Sequence, residues 1–195
     1  MGLFDKLASF ADSVNQEFDR QQQQGVSALA AEGAEANVCE LYMKQAITIL
    51  GDKYSIYDVN KQEVYNIKGS ITGLNFNITR ADGSAVAEIK KKIVAITPEY
   101  KMVMANGKSG ELKKKMALIK EEFNGKFDGQ SLFIKGDIAA YSFEVELGGK
   151  VIGTVSKQLI SWGDAYKIKA ASEDVMDTLV TIVVAIDNAC HNNND

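Results

Sequence analysis

The sequence predicts a mainly β protein: an antiparallel barrel of about ten to twelve strands around a hydrophobic C-terminal α-helix, preceded by an amphipathic helix. Three observations lead to this prediction. Alternating segments rich in Val, Ile, Tyr and Thr, separated by turn dipeptides, fill the chain after residue 40. Related segments recur within that region. The last long segment is apolar all round, so it must be buried on every side, and a ring of strands would bury it.

The first 24 residues have the periodicity of an amphipathic helix. Apolar side chains recur at helical spacing and form one stripe. The stripe consists of Leu3, Phe4, Leu7, Phe10, Val14 and Phe18. We interpret it as a docking face for the following domain, a second copy or another subunit. The alternative is an interfacial membrane helix, but residues 1–40 are acidic, whereas such helices usually carry Lys and Arg on their polar face.

Residues 25–40 are rich in Ala and Glu and are predicted to form a linker. After it, hairpins repeat. Residues 87–96 and 110–119 match almost position for position, 23 residues apart. Residues 91–102 overlay 157–168 without a gap, and a segment beginning at Lys44 fits the same template when one residue is inserted. Each copy has a lysine, an apolar strand end, a tight bend and an aromatic residue that starts the next strand. The irregular spacing excludes a solenoid of fixed period and favours a barrel or sandwich.

The last element is predicted to be a buried helix. Ser172 is a suitable N-cap, and the two acidic residues after it lie where the helix dipole favours negative charge. Apolar residues from Val175 to Cys190 occupy every side of a helical wheel, and the segment is too long for a typical strand. This helix completes a domain over residues 41–190 and leaves 191–195 as a tail.

Composition excludes several chemistries. The chain has one histidine, His191, and two cysteines, so neither a Ser-His-Asp or Cys-His system nor a zinc site can be assembled convincingly. No glycine-rich phosphate loop occurs. We therefore expect no enzyme, no catalytic residue, no metal and no cofactor. With only two arginines, nucleic acid is a poor candidate partner.

Cysteine usage and hydropathy bear on the compartment. One cysteine pair in a chain of 195 residues is not a disulfide framework, so we expect a reducing, cytoplasmic environment. The most apolar segment, residues 179–186, is about half as long as a spanning helix requires. We expect a protein that is not integral to a membrane and that associates with one at its surface at most.

Lysines are the candidate anion-binding residues. Alternation within strands and the hairpin repeat place four lysines on the apolar side: Lys44, Lys91, Lys114 and Lys157. There they either pair with acidic residues of the last helix or its neighbouring turns, or converge on an anionic headgroup. Their neighbours are predicted to point outward, as a solvated face or as a footprint for an anionic surface. These neighbours are Lys90, Lys92, Lys113 and Lys115.

Two Gly-Asp-x-Tyr motifs, at residues 51–54 and 163–166, precede the apolar segment 183–187. The motif residues are interpreted as turn formers. With the buried helix, they resemble the LURP-one-related family of the tubby C-terminal-like superfamily, which is related to phospholipid scramblases, over about residues 41–188. The resemblance implies a closed barrel of about 12 strands around a central helix. It also implies phosphoinositide headgroup binding through basic side chains, as in tubby-type domains, and supplies no catalytic residue.

These observations lead to two hypotheses about function. In the first, the chain is a non-enzymatic, tubby-like module that associates reversibly with anionic phospholipid headgroups or with a protein partner. In the second, it is a structural or assembly subunit that docks, or forms an oligomer, through its N-terminal amphipathic helix.

Overall fold

The computed structural model describes residues 39–48, 51–94, 97–115, 122–138, 142–160 and 163–191. Within these ranges the chain forms twelve β-strands followed by one α-helix. The predicted N-terminal helix, nearly all of the predicted linker and residues 192–195 of the tail lie outside the described residues.

The strands follow one another along the chain without an intervening helix. Their bounds are β1 Cys39–Thr48, β2 Gly51–Tyr57, β3 Glu63–Gly69, β4 Asn75–Arg80, β5 Ala85–Val94, β6 Thr97–Met104, β7 Ser109–Lys115, β8 Glu122–Phe127, β9 Gln130–Asp137, β10 Ser142–Leu147, β11 Lys150–Ile160 and β12 Gly163–Ala170. The helix, α1, spans Glu173–His191.

Each strand pairs antiparallel with its neighbour in sequence, and β12 pairs with β1, so the sheet closes into a barrel. Consecutive strands alternate in direction. The hairpins β2–β3, β4–β5, β6–β7, β8–β9 and β10–β11 therefore lie at one end of the barrel, together with the start of α1. We call this the upper end. The hairpins β1–β2, β3–β4, β5–β6, β7–β8, β9–β10 and β11–β12 lie at the lower end.

An ion-pair cluster fastens the seam where β1 meets β12. Glu40 on β1 lies 3.1 Å from Lys167 and 3.3 Å from Lys169, both on β12. Burial acts to raise the pKa of Glu40, but the hydrogen bonds and charges of the two lysines outweigh it and lower that pKa. The carboxylate is therefore the favoured form at the closing edge of the barrel.

The helix fills the barrel, which confirms the predicted fold. Every side chain from Thr178 to Ala189 is buried, and Leu179 and Ile182 have no exposed surface. The strands reach the helix closely at Gly153 on β11, where an added Cβ would lie 2.2 Å from Leu179 Cδ2 and 2.5 Å from the Lys169 carbonyl oxygen. A side chain at that position would push the wall away from the helix.

Turns at the upper end have the chemistry that the sequence indicates. Asp58 Oδ1 accepts hydrogen bonds from the backbone N–H groups of Asn60 at 2.9 Å and Gln62 at 2.8 Å. Asp82 Oδ1 accepts from the Ser84 backbone N–H at 2.9 Å, and Gly83 has a φ of 86°. Side-chain and backbone hydrogen bonds from Ser84 lower the pKa of Asp82. These are Asx-type turns, which explains why short polar residues punctuate the strands.

Candidate functional site

Three of the four predicted inner lysines lie on the inner side of the wall near the lower end. Lys91 is the cross-strand partner of Tyr100, and Lys114 that of Phe123. Lys157 is likewise opposite Tyr166. Lys91 and Lys114 are half-buried, whereas Lys157 is exposed. The repeated hairpin therefore sets a lysine beside an aromatic ring at three places around one end of the barrel.

Lys44 does not share this position, and its predicted facing is wrong. Gln45 is the residue opposite Tyr54, while Met43 is fully buried on the inner side of β1. Alternation along the strand then directs Lys44 outward. The inserted residue in the predicted alignment is unnecessary, because the two Gly-Asp-x-Tyr motifs superpose without a gap when Gln45 is matched to Lys157. A shift of one residue reverses the face of every side chain in a strand.

One of the inner lysines, Lys114, contacts the last turn of α1. Lys114 Nζ lies 3.4 Å from the carbonyl oxygen of Ala189, and Lys91 Nζ lies 5.8 Å from the centre of the Tyr100 ring. The Tyr100 hydroxyl donates to Asn188 Oδ1 at 3.0 Å. Burial, together with the charges of Cys190 and Asp187, raises the pKa of Tyr100. Because cations are favourable at a helix C-terminus, Lys114 stabilises the lower end of the helix.

A second polar cluster, which sequence reasoning missed, holds the upper end of the helix. Arg80 Nη2 lies 2.8 Å and 2.7 Å from the two carboxylate oxygens of Asp177 on α1. The Tyr65 hydroxyl donates to Asp177 Oδ1 at 2.6 Å. Burial and the neighbouring carboxylate raise the pKa of Tyr65. An open groove of about 660 Å³ lies beside this cluster; besides Tyr65 and Arg80, it is lined by Cys39, Leu41, Val64, Glu173, Asp174 and Met176. No local pattern predicts it, since the partners are up to 112 residues apart.

Several of the outward lysines alternate with glutamates. Lys113 on β7 lies 3.6 Å from Glu99 and 4.0 Å from Glu111. Lys115 lies 3.6 Å from Glu122 on β8. Such exposed pairs contribute little to stability, but they neutralise the surface locally. This part of the wall therefore has the charge pattern of a solvated face.

A different part of the outer wall carries lysines that face other lysines. Lys53 on β2 stands directly opposite Lys68 on β3, and Lys90 on β5 directly opposite Lys101 on β6. β4 lies between these pairs and presents Asn77 beside Lys68. We call these five residues the basic belt. All of them are exposed.

The charges of the basic belt are only partly balanced. Lys90 lies 3.2 Å from Glu88, and Glu111 stands opposite Lys101 at the edge of the belt. Within the described part of the chain, no carboxylate lies within ion-pair distance of Lys53 or Lys68. Like charges directly opposite one another destabilise a sheet. Of the predicted lysines, only Lys90 belongs to this belt; Lys92 lies just beyond it, opposite Glu99.

The predicted partner-docking residues Leu3, Phe4, Leu7, Phe10, Val14 and Phe18 lie outside the described residues. In the part of the chain that is described, no helix has both the length and the apolarity to span a membrane. Within the same residues, no three His, Cys, Asp or Glu side chains are grouped so that they could hold a metal ion.

The architecture defines the class of protein: a closed twelve-strand antiparallel barrel built around a C-terminal helix. The chain belongs to the LURP-one-related family, whose model matches residues 39–187. This confirms the resemblance found from the Gly-Asp-x-Tyr motifs and the apolar last segment.

Two similar proteins illustrate the family and the fold. The chain is 28% identical to YxjI of Bacillus subtilis (strain 168) over 158 residues, which cover 80% of this chain and 96% of YxjI. It also resembles the X-ray structure of a protein from Arabidopsis thaliana with a TM-score of 0.52 and 12% identity. That match covers 78% of this chain and 93% of the Arabidopsis chain. At this identity the likeness concerns the fold alone.

Proposed function

We propose that the protein is a non-enzymatic module that associates reversibly with an anionic phospholipid surface through the basic belt. The observation that carries this proposal is the exposed pair of Lys53 and Lys68, which stand directly opposite each other on neighbouring strands. The repulsion between the two ammonium groups destabilises the folded sheet. An anionic surface would relieve this repulsion, and each lysine near it contributes about 1 kcal/mol of binding free energy.

The shape of the belt favours a surface over a small ligand. The belt runs from β2 to β6, which corresponds to about 19 Å at the usual spacing of strands. All of its side chains are exposed. Between the lysines, Asn75 and Asn77 present amide groups that can donate to phosphate oxygens. This combination of spread positive charge and neutral donors suits many phosphate groups arranged in a plane.

In this proposal, the binding role passes to the basic belt, which shares only Lys90 with the lysines predicted from the sequence. Lys113 and Lys115 already have glutamate partners at 3.6 Å, so they gain less from an anionic surface. Lys114 contacts the end of α1 and supports the helix. Lys90 remains a candidate, because Lys101 opposes it directly despite its own ion pair with Glu88.

Vesicle sedimentation at low salt tests the proposal. We expect the full chain to pellet with vesicles that contain phosphatidylserine or a phosphoinositide and to stay in solution with neutral phosphatidylcholine vesicles. The double variant Lys53→Gln/Lys68→Gln should bind anionic vesicles roughly 30-fold more weakly, since two lysines are removed.

The matched control is Lys113→Gln/Lys115→Gln, which removes the same charge from the neighbouring wall and should retain most of the binding. Equal binding of the wild type to neutral and anionic vesicles would contradict the lipid proposal and favour a protein partner. Equal weakening of the two double variants would contradict the assignment to the belt.

A further inference from the structure

The hairpin between β3 and β4 carries an unusually exposed apolar side chain. Ile71 has 76% of its surface exposed, more than any other large hydrophobic residue in the described ranges. A single exposed aliphatic residue is common and indicates little by itself. Here the hairpin lies at the lower end of the barrel and continues two strands of the basic belt, with Lys68 just before the turn and Asn75 just after it.

Hydrogen bonds hold this hairpin in a defined shape. The Ser70 hydroxyl oxygen accepts from the backbone N–H groups of Leu74 at 3.3 Å and Asn75 at 3.2 Å. The Gly73 N–H donates to the Ser70 carbonyl oxygen at 2.8 Å, and Gly73 has a φ of 64°. The tip is thereby ordered with Ile71 directed into solvent, and little conformational entropy would be lost if Ile71 entered another phase.

The turn itself can leave water at low cost. Residues 69–75 contain Gly, Ser, Ile, Thr, Leu and Asn and no charged side chain. A membrane interface accepts such a segment, because no ionised group has to be desolvated. Two belt lysines flank the turn, Lys68 just before it and Lys90 opposite Asn75, and anionic headgroups attract them.

The upper end of the barrel offers a direct contrast. Val59 in the β2–β3 turn is also exposed, at 61%, but it lies between two charged residues of that turn, Asp58 and Lys61. The neighbouring β4–β5 turn contains Asp82, and α1 begins with Glu173 and Asp174. These charged groups would have to be desolvated at a membrane interface, whereas the β3–β4 turn carries no charged side chain.

We propose that the β3–β4 hairpin inserts Ile71 into the interface of an anionic bilayer, so that the barrel docks with its lower end toward the membrane. The inference rests on the proposed function and adds to it a point of entry and an orientation. The belt lysines supply attraction that weakens with salt, whereas burial of Ile71 supplies attraction that persists at high salt.

Binding to phosphatidylserine vesicles across a series of salt concentrations tests the inference. We expect Ile71→Ser to weaken binding about tenfold, with the larger loss at high salt, where electrostatic attraction is screened. Val59→Ser is the matched control and should bind like the wild type. Both sites lie in exposed turns, so unchanged thermal melting would show that the two variants remain folded.

A second pair of variants measures depth directly. After subtraction of the wild-type fluorescence from Trp162, the fluorescence of the Ile71→Trp variant should be quenched by lipids with brominated acyl chains. The fluorescence of the Val59→Trp variant should not be quenched. If the wild type binds anionic vesicles but neither Ile71 variant shows its effect, the inference is wrong and the proposed function stands. If the wild type does not bind anionic vesicles at all, both are wrong.

Discussion

Asp177 joins the helix to the wall at the upper end, and it does so through two residues of unequal exposure. Arg80 is half exposed, whereas Tyr65 is buried and donates its hydroxyl to the Asp177 carboxylate. An exposed ion pair contributes about 0.2 to 1 kcal/mol. A buried hydroxyl that loses its acceptor costs about 1 to 3 kcal/mol. The Tyr65 hydrogen bond is therefore expected to matter more than the ion pair.

This comparison predicts the ranking of two variants in urea unfolding. Asp177→Ala should lower the free energy of unfolding by about 2 kcal/mol, because Tyr65 is left without its acceptor. Arg80→Met should cost no more than about 1 kcal/mol, because the Tyr65–Asp177 hydrogen bond is retained. Asp174→Ala, at an exposed position of the same helix end, is the control. A larger loss for Arg80→Met than for Asp177→Ala would contradict the ranking.

The barrel depends on helix α1, because the middle of this helix is buried around its whole circumference. From Thr178 to Ala189 it presents no solvated side. Two of its polar residues are hydrogen-bonded within the core: the Thr181 hydroxyl donates to the Asp177 carbonyl oxygen at 2.7 Å, and Asn188 Oδ1 accepts from the Tyr100 hydroxyl. A charge placed at Val183, in the middle of this helix, has no route to water.

Val183→Asp tests the role of the helix at this scale. Val183 is 2% exposed, so the substitution buries a carboxylate among strand side chains and should cost several kcal/mol. A domain of ordinary stability, about 5 to 15 kcal/mol, would then be largely unfolded. We expect little soluble protein and no cooperative thermal transition.

The control for this substitution is Val175→Asp in the first turn of the same helix, where the side chain is half-buried and the dipole favours an acid. It should yield soluble protein that melts cooperatively. A soluble, cooperatively melting Val183→Asp variant would contradict the central position of the helix.

For the whole molecule, closure of the barrel begins at Cys39. This residue is the first of β1 and pairs with Ala170 at the end of β12. All the described strand pairs that close the barrel lie within residues 39–170. The hypothesis that the apolar stripe of the N-terminal segment docks a partner or a second copy is therefore separable from folding of the barrel.

Deletion of residues 1–36 tests docking by the N-terminal stripe separately from folding of the barrel. We expect the shortened chain to melt cooperatively, because every strand pair and α1 are retained. If the stripe docks a second copy or another subunit, the deletion should also change the mass in solution or remove a co-purifying protein. Light scattering after gel filtration measures the first, and mass spectrometry of the purified sample the second. An unchanged mass and partner set would contradict docking through this segment.

The sequence by itself determined the parts of the protein that depend on neighbours along the chain. Alternation identifies the buried Ile89 and the inward Lys91, and Asx-type turns such as that of Asp58 separate strands. The apolar run of α1 requires enclosure. Each of these features rests on local geometry, which a few adjacent residues specify.

The tertiary structure alone decided which distant side chains meet. The register of β1 placed Gln45 rather than Lys44 opposite Tyr54, and the register between β2 and β3 set Lys53 against Lys68. Arg80 reaches Asp177 across 97 residues of sequence. The physical reason is that these contacts follow from strand pairing and barrel closure, and a shift of one residue reverses a face without changing the local pattern.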